Sequence, residues 1–192
     1  MNTILTSLDN FLNNASVSAF LGAVFAFFLV WLTDRRREHK KVSLIRSEVE
    51  HNLFHAEKKL KTARNSFIEL RDKNIIAPGR PMRFNSQVLQ RLMGEAIDNL
   101  SPEQRRTLDA LCYTMTESDR RLLNIYQLAI SCAGSLGHTD RVATAAALVD
   151  AHKESIIALK RLIQMCNWYV AGQYQNILMH QYNRADYIEW DE

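Results

Sequence analysis

The sequence contains few of the residues that interrupt helices or crosslink chains. Among its 192 residues are only 6 Gly and 3 Pro, too few for the many turns of a β-sandwich, a barrel or a βαβ chain. Long stretches rich in Ala, Leu, Lys, Arg, Glu and Gln favour helices instead. The 3 Cys all fall at apolar helical positions, which is typical of reduced core thiols in a cytosolic domain. We therefore predict an all-α fold in which Cys112, Cys132 and Cys166 have no catalytic role.

The sequence also lacks the motifs of common catalytic and metal sites. It has no GxxxxGK[ST] phosphate loop, no GxSxG elbow, no HExxH and no CxxC. The nearest metal candidate is the group of Glu48, His51 and His55, in which the two histidines share one helix face. A di-iron carboxylate bundle would need a second Glu-x-x-His and two further Glu, which the sequence does not provide. We interpret these histidines as surface residues, and we predict that the protein is not an enzyme and holds no metal or cofactor.

Charge is absent from residues 15–33, which read ASVSAFLGAVFAFFLVWLT. These 19 residues are long enough to cross a hydrocarbon core of about 30 Å at about 1.5 Å per residue. The alternatives are a buried core helix and a cleaved signal peptide. A signal peptide would need a positive n-region, but residues 1–14 contain Asp9 and no Lys or Arg. We predict a transmembrane helix over 15–33. The preceding residues 1–14 are expected to form an amphipathic segment on the outer membrane surface or, alternatively, a frayed terminus.

Small residues follow one side of the predicted span at four-residue spacing. They allow a second helix to approach closely, whereas the opposite side is bulky and suits lipid. We predict a homo-oligomer, in which any pore needs a hydrophobic gate because the span carries no charged ring. The alternative is a lone anchor. The predicted packing residues are Ala15, Ser18, Ala19, Gly22, Ala23 and Ala26.

Basic residues follow the span directly. Residues 34–41 contain five Lys or Arg, and residues 34–80 contain 13 against 7 Asp or Glu, although the net charge of the chain is only +3. Such an excess retains the following segment on the cytoplasmic side and attracts anionic lipid headgroups. We predict a single-pass protein of the bacterial inner membrane, with its N-terminus outside and its C-terminal domain in the cytoplasm. The predicted headgroup contacts are Arg35, Arg36, Arg37, Lys40 and Lys41.

An apolar seam continues beyond the basic cluster. It runs from Val42 to Leu70 over about four heptads, which predicts a stalk helix over 34–73 and further favours association between chains. Together with the span, it predicts one rod over 15–73, about 88 Å long at about 1.5 Å per residue. The segment 74–86 holds all but one of the prolines and predicts a loop.

The rest of the chain predicts a cytoplasmic helical bundle over 87–182. A helix should end before Ser101, which can form a capping box with Gln104 at the start of the next helix. The last helix is expected to cover about forty residues, with His152 in its apolar seam as a core histidine. Residues 183–192 form an acidic tail with two aromatic residues, which docks on a basic surface or remains loose.

Several arginines of this bundle are candidates for ligand binding. Paired guanidinium groups suit phosphate recognition, and rings of them in an oligomer could hold a nucleotide or a short oligonucleotide. The alternative is a solvated face, on which Arg120 or Arg121 pairs with Glu117 or Asp119. The candidate residues are Arg80, Arg83, Arg105, Arg106, Arg120 and Arg121.

The residues behind the basic cluster resemble a short bacterial motif. The stretch from Val42 to Leu53 is similar to the L-x-x-E-[IV]-x-x-N-L opening of uncharacterised single-span helical proteins, and Glu48, Asn52 and Leu53 carry the match. The overall plan resembles the small membrane effectors of bacterial anti-phage systems, such as the channel-forming effector of Hailong-type defence. This resemblance implies a helical cytoplasmic domain controlled by a nucleic-acid product, and it implies no catalytic residue.

These patterns lead to two hypotheses. In the first, a homo-oligomeric effector forms a pore or disrupts the membrane, and a nucleotide or oligonucleotide bound to the helical domain controls it. In the second, a membrane-tethered helical module recruits a protein partner without forming a pore. Replacing the span with an unrelated anchor should abolish the first function and spare the second.

Overall fold

The computed structural model describes residues 15–73, 80–134 and 138–182, in which every regular element is a helix. The predicted all-α class is therefore confirmed for this part of the chain. The predictions for residues 1–14, for most of the loop over 74–86 and for the tail over 183–192 lie outside the described residues. The helices are α1 (Ala15–Lys73), α2 (Ser86–Glu95), α3 (Pro102–Gly134), α4 (His138–Val170) and α5 (Tyr174–Tyr182), with a 3₁₀ turn at Ile97–Asn99.

Helix α1 is unbroken over 59 residues, as the combined periodicity of the span and the seam predicts. The chain nevertheless divides into two compact units, the first ending at Lys41 and the second beginning at Val42. In the first unit, large apolar side chains of α1 are exposed, among them Phe20 and Phe27. A stretch of α1 is long and apolar enough to cross a membrane, and none of it is buried within the described chain.

In the second unit, the seam of α1 packs against other helices of the same chain. Ile45, Val49 and Ala56 are fully buried, and Val42 and Phe67 pack against the same core. Because this face packs within one chain, it does not support the association between chains that its spacing was predicted to favour. The other fully buried large apolar side chains of this core are Leu89, Leu108, Leu111, Met115, Leu159, Leu162, Met165 and Ile177.

Helices α3 and α4 run antiparallel. The hydroxyl of Thr114 lies 3.6 Å from the sulfur of Met165, and a guanidinium nitrogen of Arg121 lies 2.7 Å from a carboxylate oxygen of Glu154. The predicted capping box is present at the start of α3. The Ser101 N–H donates to Gln104 Oε1 at 2.8 Å, and the Gln104 N–H donates to Ser101 Oγ at 3.1 Å.

Helix α4 ends earlier than the periodicity of the sequence predicts. It stops at Val170, and α5 begins at Tyr174, so one helix of forty residues was the wrong prediction. Gly172 adopts a φ of 75°, in the left-handed region that favours glycine. The N–H groups of Gly172 and Gln173 then bond to the carbonyls of Tyr169 and Trp168, a Schellman motif that closes the helix. The apolar position Ile177 continues the seam only because α5 packs onto the same core.

The helix predicted to end before Ser101 is likewise shorter. Helix α2 stops at Glu95, and the 3₁₀ turn follows it. Ala96 and Leu100 are buried on either side of this turn, so the tighter geometry still directs apolar side chains into the core.

Candidate functional site

A cavity of about 320 Å³ lies within the second unit, between α1, α3, α4 and the segment that precedes α2. Helix α1 contributes one wall, on which His55, Lys58, Thr62 and Ser66 recur at three- or four-residue spacing. Small and aliphatic side chains form the floor. They are Ala63, Leu70, Leu122, Ile125, Ala129 and Leu148.

An ion pair beside the cavity holds three parts of the chain together. Lys59 Nζ lies 3.0 Å from Asp119 Oδ1, and both side chains are less than a fifth exposed. The other carboxylate oxygen of Asp119 accepts the Phe84 N–H at 2.9 Å, while Lys59 Nζ lies 3.4 Å from the centre of the Phe84 ring. Burial lowers the pKa of Lys59, and the charge of Asp119 opposes this change. These contacts fix the segment before α2 against both α1 and α3.

Asn52 provides a second attachment for the same segment. Its Oδ1 accepts the Asn85 N–H at 3.1 Å, and its Nδ2 donates to the Glu48 carbonyl at 2.9 Å. Asn52 is 1% exposed, so each of these hydrogen bonds satisfies a polar group that is out of contact with water. Together with the Lys59–Asp119 pair, Asn52 positions the residues that border the cavity after α1.

Two cationic side chains at the cavity have no counter-charge within the part of the chain that the structure describes. Lys58 and Arg80 are exposed, and neither makes an ion pair or a side-chain hydrogen bond with the described residues. Lys59 differs from them because Asp119 neutralises its charge. The cavity therefore combines an apolar floor with positive charge at its edge, an arrangement that suits an anionic ligand.

Two histidines also line the cavity. His152 is 6% exposed, and its Nδ1 lies 2.8 Å from the Leu148 carbonyl, so Nδ1 carries the proton and donates it. Burial lowers the pKa of His152, and this hydrogen bond acts in the opposite direction. Burial and the neighbouring His51 lower the pKa of His55. The prediction of a core histidine at position 152 is confirmed.

The predicted ligand-binding arginines do not form one cluster in the described chain. Arg80 borders the cavity, whereas Arg83 is exposed and does not line it. Near the start of α3, Arg105 donates to the Leu100 carbonyl at 3.1 Å and Arg106 is exposed.

The other two arginines are occupied by ion pairs. Both Arg120 and Arg121 bond to Glu117, and Arg121 also reaches Glu154. Asp119, the other acid proposed as their partner, instead binds Lys59. The arginines at 120 and 121 thus follow the alternative of an ion-paired face.

Within the described residues, no three His, Cys, Asp or Glu side chains are grouped as a metal site would require. The Nε2 atoms of His51 and His55 lie 3.1 Å apart on α1. Glu48, the third member of the candidate group, accepts a hydrogen bond from Asn52 at 3.2 Å instead.

The three cysteines are buried and form no disulfide with one another, at the apolar helical positions where the sequence places them. Burial raises the pKa of Cys112 and of Cys166 to about 12 each. These thiols are therefore protonated at neutral pH, and a thiol in that form is a poor nucleophile.

The predicted packing residues of the span lie on α1 in the first unit. Ala19, Ala23 and Ala26 are exposed, and a Cβ added to Gly22 would meet no atom of the described chain within 4 Å. Ala15 is the first residue of α1 and Ser18 is exposed on it. This face is open to another helix or to lipid.

The predicted headgroup residues follow on the same helix, and all five are exposed. The Arg35 guanidinium lies 5.2 Å from the centre of the Trp31 ring, and Arg37 lies 4.0 Å from Asp34. Both Asp34 and Arg37 are more than half exposed, so this pair adds little stability and leaves the cluster available to a charged surface. The remaining members are Arg36, Lys40 and Lys41.

Lys58 and the Lys59–Asp119 pair were not predicted from the sequence. Lys59 and Asp119 are 60 residues apart, and no local pattern indicates that they meet. Thr62 and Ser66 are a weak indication in the sequence of the cavity wall, because they continue one polar face of α1 at four-residue spacing beside the apolar seam.

Two of the three residues that carry the bacterial motif have clear structural roles. Asn52 joins α1 to the segment before α2, and Leu53 packs against the core. Comparison of the chain with protein-family models, with curated proteins and with solved structures finds no match.

Proposed function

We propose that this protein is a bacterial inner-membrane effector that homo-oligomerises, forms a pore or disrupts the membrane, and is controlled by an anionic ligand. A role in anti-phage defence is part of the proposal, through the resemblance described above. One observation supports it most: α1 carries the apolar span and also one wall of the cavity that Lys58 and Arg80 border. A ligand at this wall contacts the same helix that crosses the bilayer.

The proposed control requires a difference in affinity between two states of α1. A ligand that binds the open and closed states equally shifts nothing, whereas one that prefers either state by about 100-fold shifts the equilibrium by nearly 3 kcal/mol. The sequence predicts a nucleotide or short oligonucleotide as this ligand. The control mechanism itself requires only an anion that reaches Lys58 and Arg80.

The proposed oligomer rests on the small-residue side of the span. The apolar seam in the second unit is used within the chain, so the span is the remaining candidate for close helix contacts. Gly22 and its small neighbours would let two helices approach closely enough for van der Waals packing. A pore between such helices would open and close by wetting and drying of an apolar constriction.

Membrane potential in bacteria tests this function directly. Expression of the intact chain should collapse the potential reported by a dye, and Gly22→Ile should abolish this effect because the added side chain separates the helices. Val24→Ile is the matched control, since it changes a large residue of the opposite side and should leave the depolarisation intact.

Three further results decide the proposal. Replacing residues 15–33 with an unrelated anchor should abolish depolarisation, and a chain that still depolarises the membrane after this exchange contradicts a pore formed by the span. Equal depolarisation by Gly22→Ile and the intact chain contradicts helix packing in the span. An intact potential even at high expression contradicts a pore that opens without its ligand.

A second candidate is the tethered module that recruits a protein partner. It is favoured by Phe54 and Ile68, two apolar side chains on one face of α1 that are 63% and 46% exposed. The two residues lie about four turns apart, roughly 21 Å at about 1.5 Å per residue, so they would contact a partner that lies along the helix. If Phe54→Ser and Ile68→Ser abolish the biological effect while the exchanged span preserves it, this second function is the correct one.

A further inference from the structure

The lining of the cavity restricts the kind of anion that fits it. Its floor is aliphatic, with Leu70, Ile125 and Leu148 among the residues that form it. Leu70 and Leu148 are buried and belong to the packed core around the cavity, whereas Leu122 and Ile125 are partly exposed and offer apolar surface to a ligand. A volume of about 320 Å³ lies at the lower end of the range of about 300–1,000 Å³ found for small-molecule sites.

Aromatic rings lie on the walls of this cavity and not on its floor. Proteins that bind bases commonly hold them against the faces of aromatic rings. The described lining contains the aromatic rings of Tyr126, His55 and His152, of which His152 is 6% exposed, whereas all six residues of the floor are small or aliphatic. A flexible hydrocarbon chain fits such a surface, because it needs apolar contact and no hydrogen bonds.

The edge of the cavity is suited to a negatively charged head. Lys58 and Arg80 come from different parts of the second unit, one from α1 and one from the segment that precedes α2. A carboxylate or phosphate between them would receive charge-assisted hydrogen bonds. Thr62 and Ser66 place hydroxyl groups on the same wall, although the Thr62 hydroxyl already donates to the Lys58 carbonyl at 3.1 Å.

We propose that this cavity binds a single-chain acyl anion, with its head between Lys58 and Arg80 and its hydrocarbon chain on the aliphatic floor. This inference rests on the proposed function and names the class of its controlling ligand as an acyl anion in place of a nucleotide. Hydrolysis of an ester bond in a membrane lipid releases anions of this class. The ligand would therefore report damage to the bilayer in which the protein is anchored.

Photoaffinity labelling of the full chain tests the proposal. The probe is dodecanoate with a diazirine near the end of its chain, added to the protein in nanodiscs of zwitterionic lipid. We expect mass spectrometry to find crosslinks on 122–129 of α3 and on 148–152 of α4. Unlabelled dodecanoate should suppress these crosslinks, and adenosine monophosphate should leave them unchanged.

Charge-removing variants test the position of the head. Lys58→Gln and Arg80→Gln should each lower the labelling of α3 and α4 by about two- to fivefold, because a charged contact at an exposed site is weakened by solvent. Lys61→Gln and Arg83→Gln are matched controls on exposed neighbours that do not line the cavity, and they should leave the labelling unchanged. All four residues are exposed, so the variants should fold like the natural chain.

Several outcomes overturn the inference. Labelling confined to residues 15–33 would mean that the probe meets the protein only in the bilayer. Suppression by adenosine monophosphate would assign the cavity to a nucleotide and leave the proposed function standing. Equal labelling of the Lys58→Gln, Arg80→Gln and control variants would exclude a bound head. The proposed function fails by a different result, when Gly22→Ile leaves depolarisation unchanged.

Discussion

At the scale of single residues, the second unit depends on a few polar contacts between distant parts of the chain. Asp119 neutralises Lys59 and accepts the Phe84 N–H, so it serves two partners from different segments. The side chains of Lys59 and Phe84 are largely buried. Water therefore could not replace the carboxylate of Asp119 if that group were removed.

Asp119→Ala should therefore destabilise the protein by about 2–4 kcal/mol, since it leaves a buried ammonium and a backbone N–H without their acceptor. The measurement is the urea unfolding of the full chain in detergent. Asp109→Ala, an exposed acid on the same helix, is the control and should change stability by less than about 0.5 kcal/mol. In a Lys59→Met background, the cost of Asp119→Ala should decrease, and an unchanged cost would contradict coupling between the two residues.

Buried His152 should make stability depend on pH. Its pKa is lower in the folded chain than the usual value of about 6.5, so the unfolded chain binds more protons just below that pH. Stability should fall as the pH is lowered from about 7 through 6.5 towards the folded-state pKa.

The variant His152→Gln should reduce this slope in thermal unfolding experiments. His39→Gln, at an exposed position, should retain it. Identical pH profiles for the natural chain and His152→Gln would show that other groups cause the dependence.

These residues also show where sequence reasoning reaches its limit at this scale. The role of His152 was predictable because its position in an apolar seam requires a hydrogen-bonded neutral ring. The partner of Asp119 was not predictable. Arg120 and Arg121 are its neighbours in the sequence, whereas Lys59 contacts Asp119 only because α1 and α3 pack together.

At the scale of elements, local signals predicted helix starts better than helix ends. The capping box of Ser101 and Gln104 forms as predicted because both residues belong to one turn. The end of α4 was missed because the apolar positions continue at helical spacing into α5, although Gly172 supplied the signal for a stop.

Two glycines provide a matched test of this interpretation. A Cβ added at Gly172 or at Gly94 would meet no other atom within 4 Å, so neither substitution causes a steric clash. The two positions differ in their backbone, because Gly172 has a positive φ and Gly94 does not. Gly172→Ala should destabilise the protein by about 1 kcal/mol through backbone strain alone.

Gly94→Ala, near the end of α2, should be neutral or stabilise by up to about 1 kcal/mol. Thermal unfolding of both variants checks these signs. A stabilising Gly172→Ala would show that the left-handed turn is not required to end α4.

At the scale of the whole molecule, the sequence predicted the two kinds of surface on α1 but not their partners. Residues 15–33 were predicted to lie in lipid from their lack of charge, and the seam from Val42 to Leu70 was predicted to be apolar from its spacing. Spacing alone does not distinguish a seam that packs within a chain from one that packs between chains. Structure was needed to place the seam in the core of the second unit.

Association of the full chain should consequently depend on the span. Gly22→Ile should convert an oligomer in mild detergent to a monomer, as measured by light scattering corrected for bound detergent. The helix content measured by circular dichroism should not change, because the core of the second unit lies within one chain. Persistence of the oligomer in this variant would place the interface outside the small-residue side of the span.

The distance in sequence between contacting residues affects how the nascent protein leaves the ribosome. Lys59 cannot form its ion pair until Asp119 is synthesised, 60 residues later. Phe67 contacts a residue that is synthesised later still, His152, and the centres of the two rings are 6.5 Å apart in the folded chain. At about 5–20 residues per second, the apolar face of α1 remains uncovered for several seconds at least. In the proposed function, residues 15–33 enter the bilayer during this time. The apolar face of α1 therefore stays uncovered until α3 and α4 are synthesised and the core of the second unit can form.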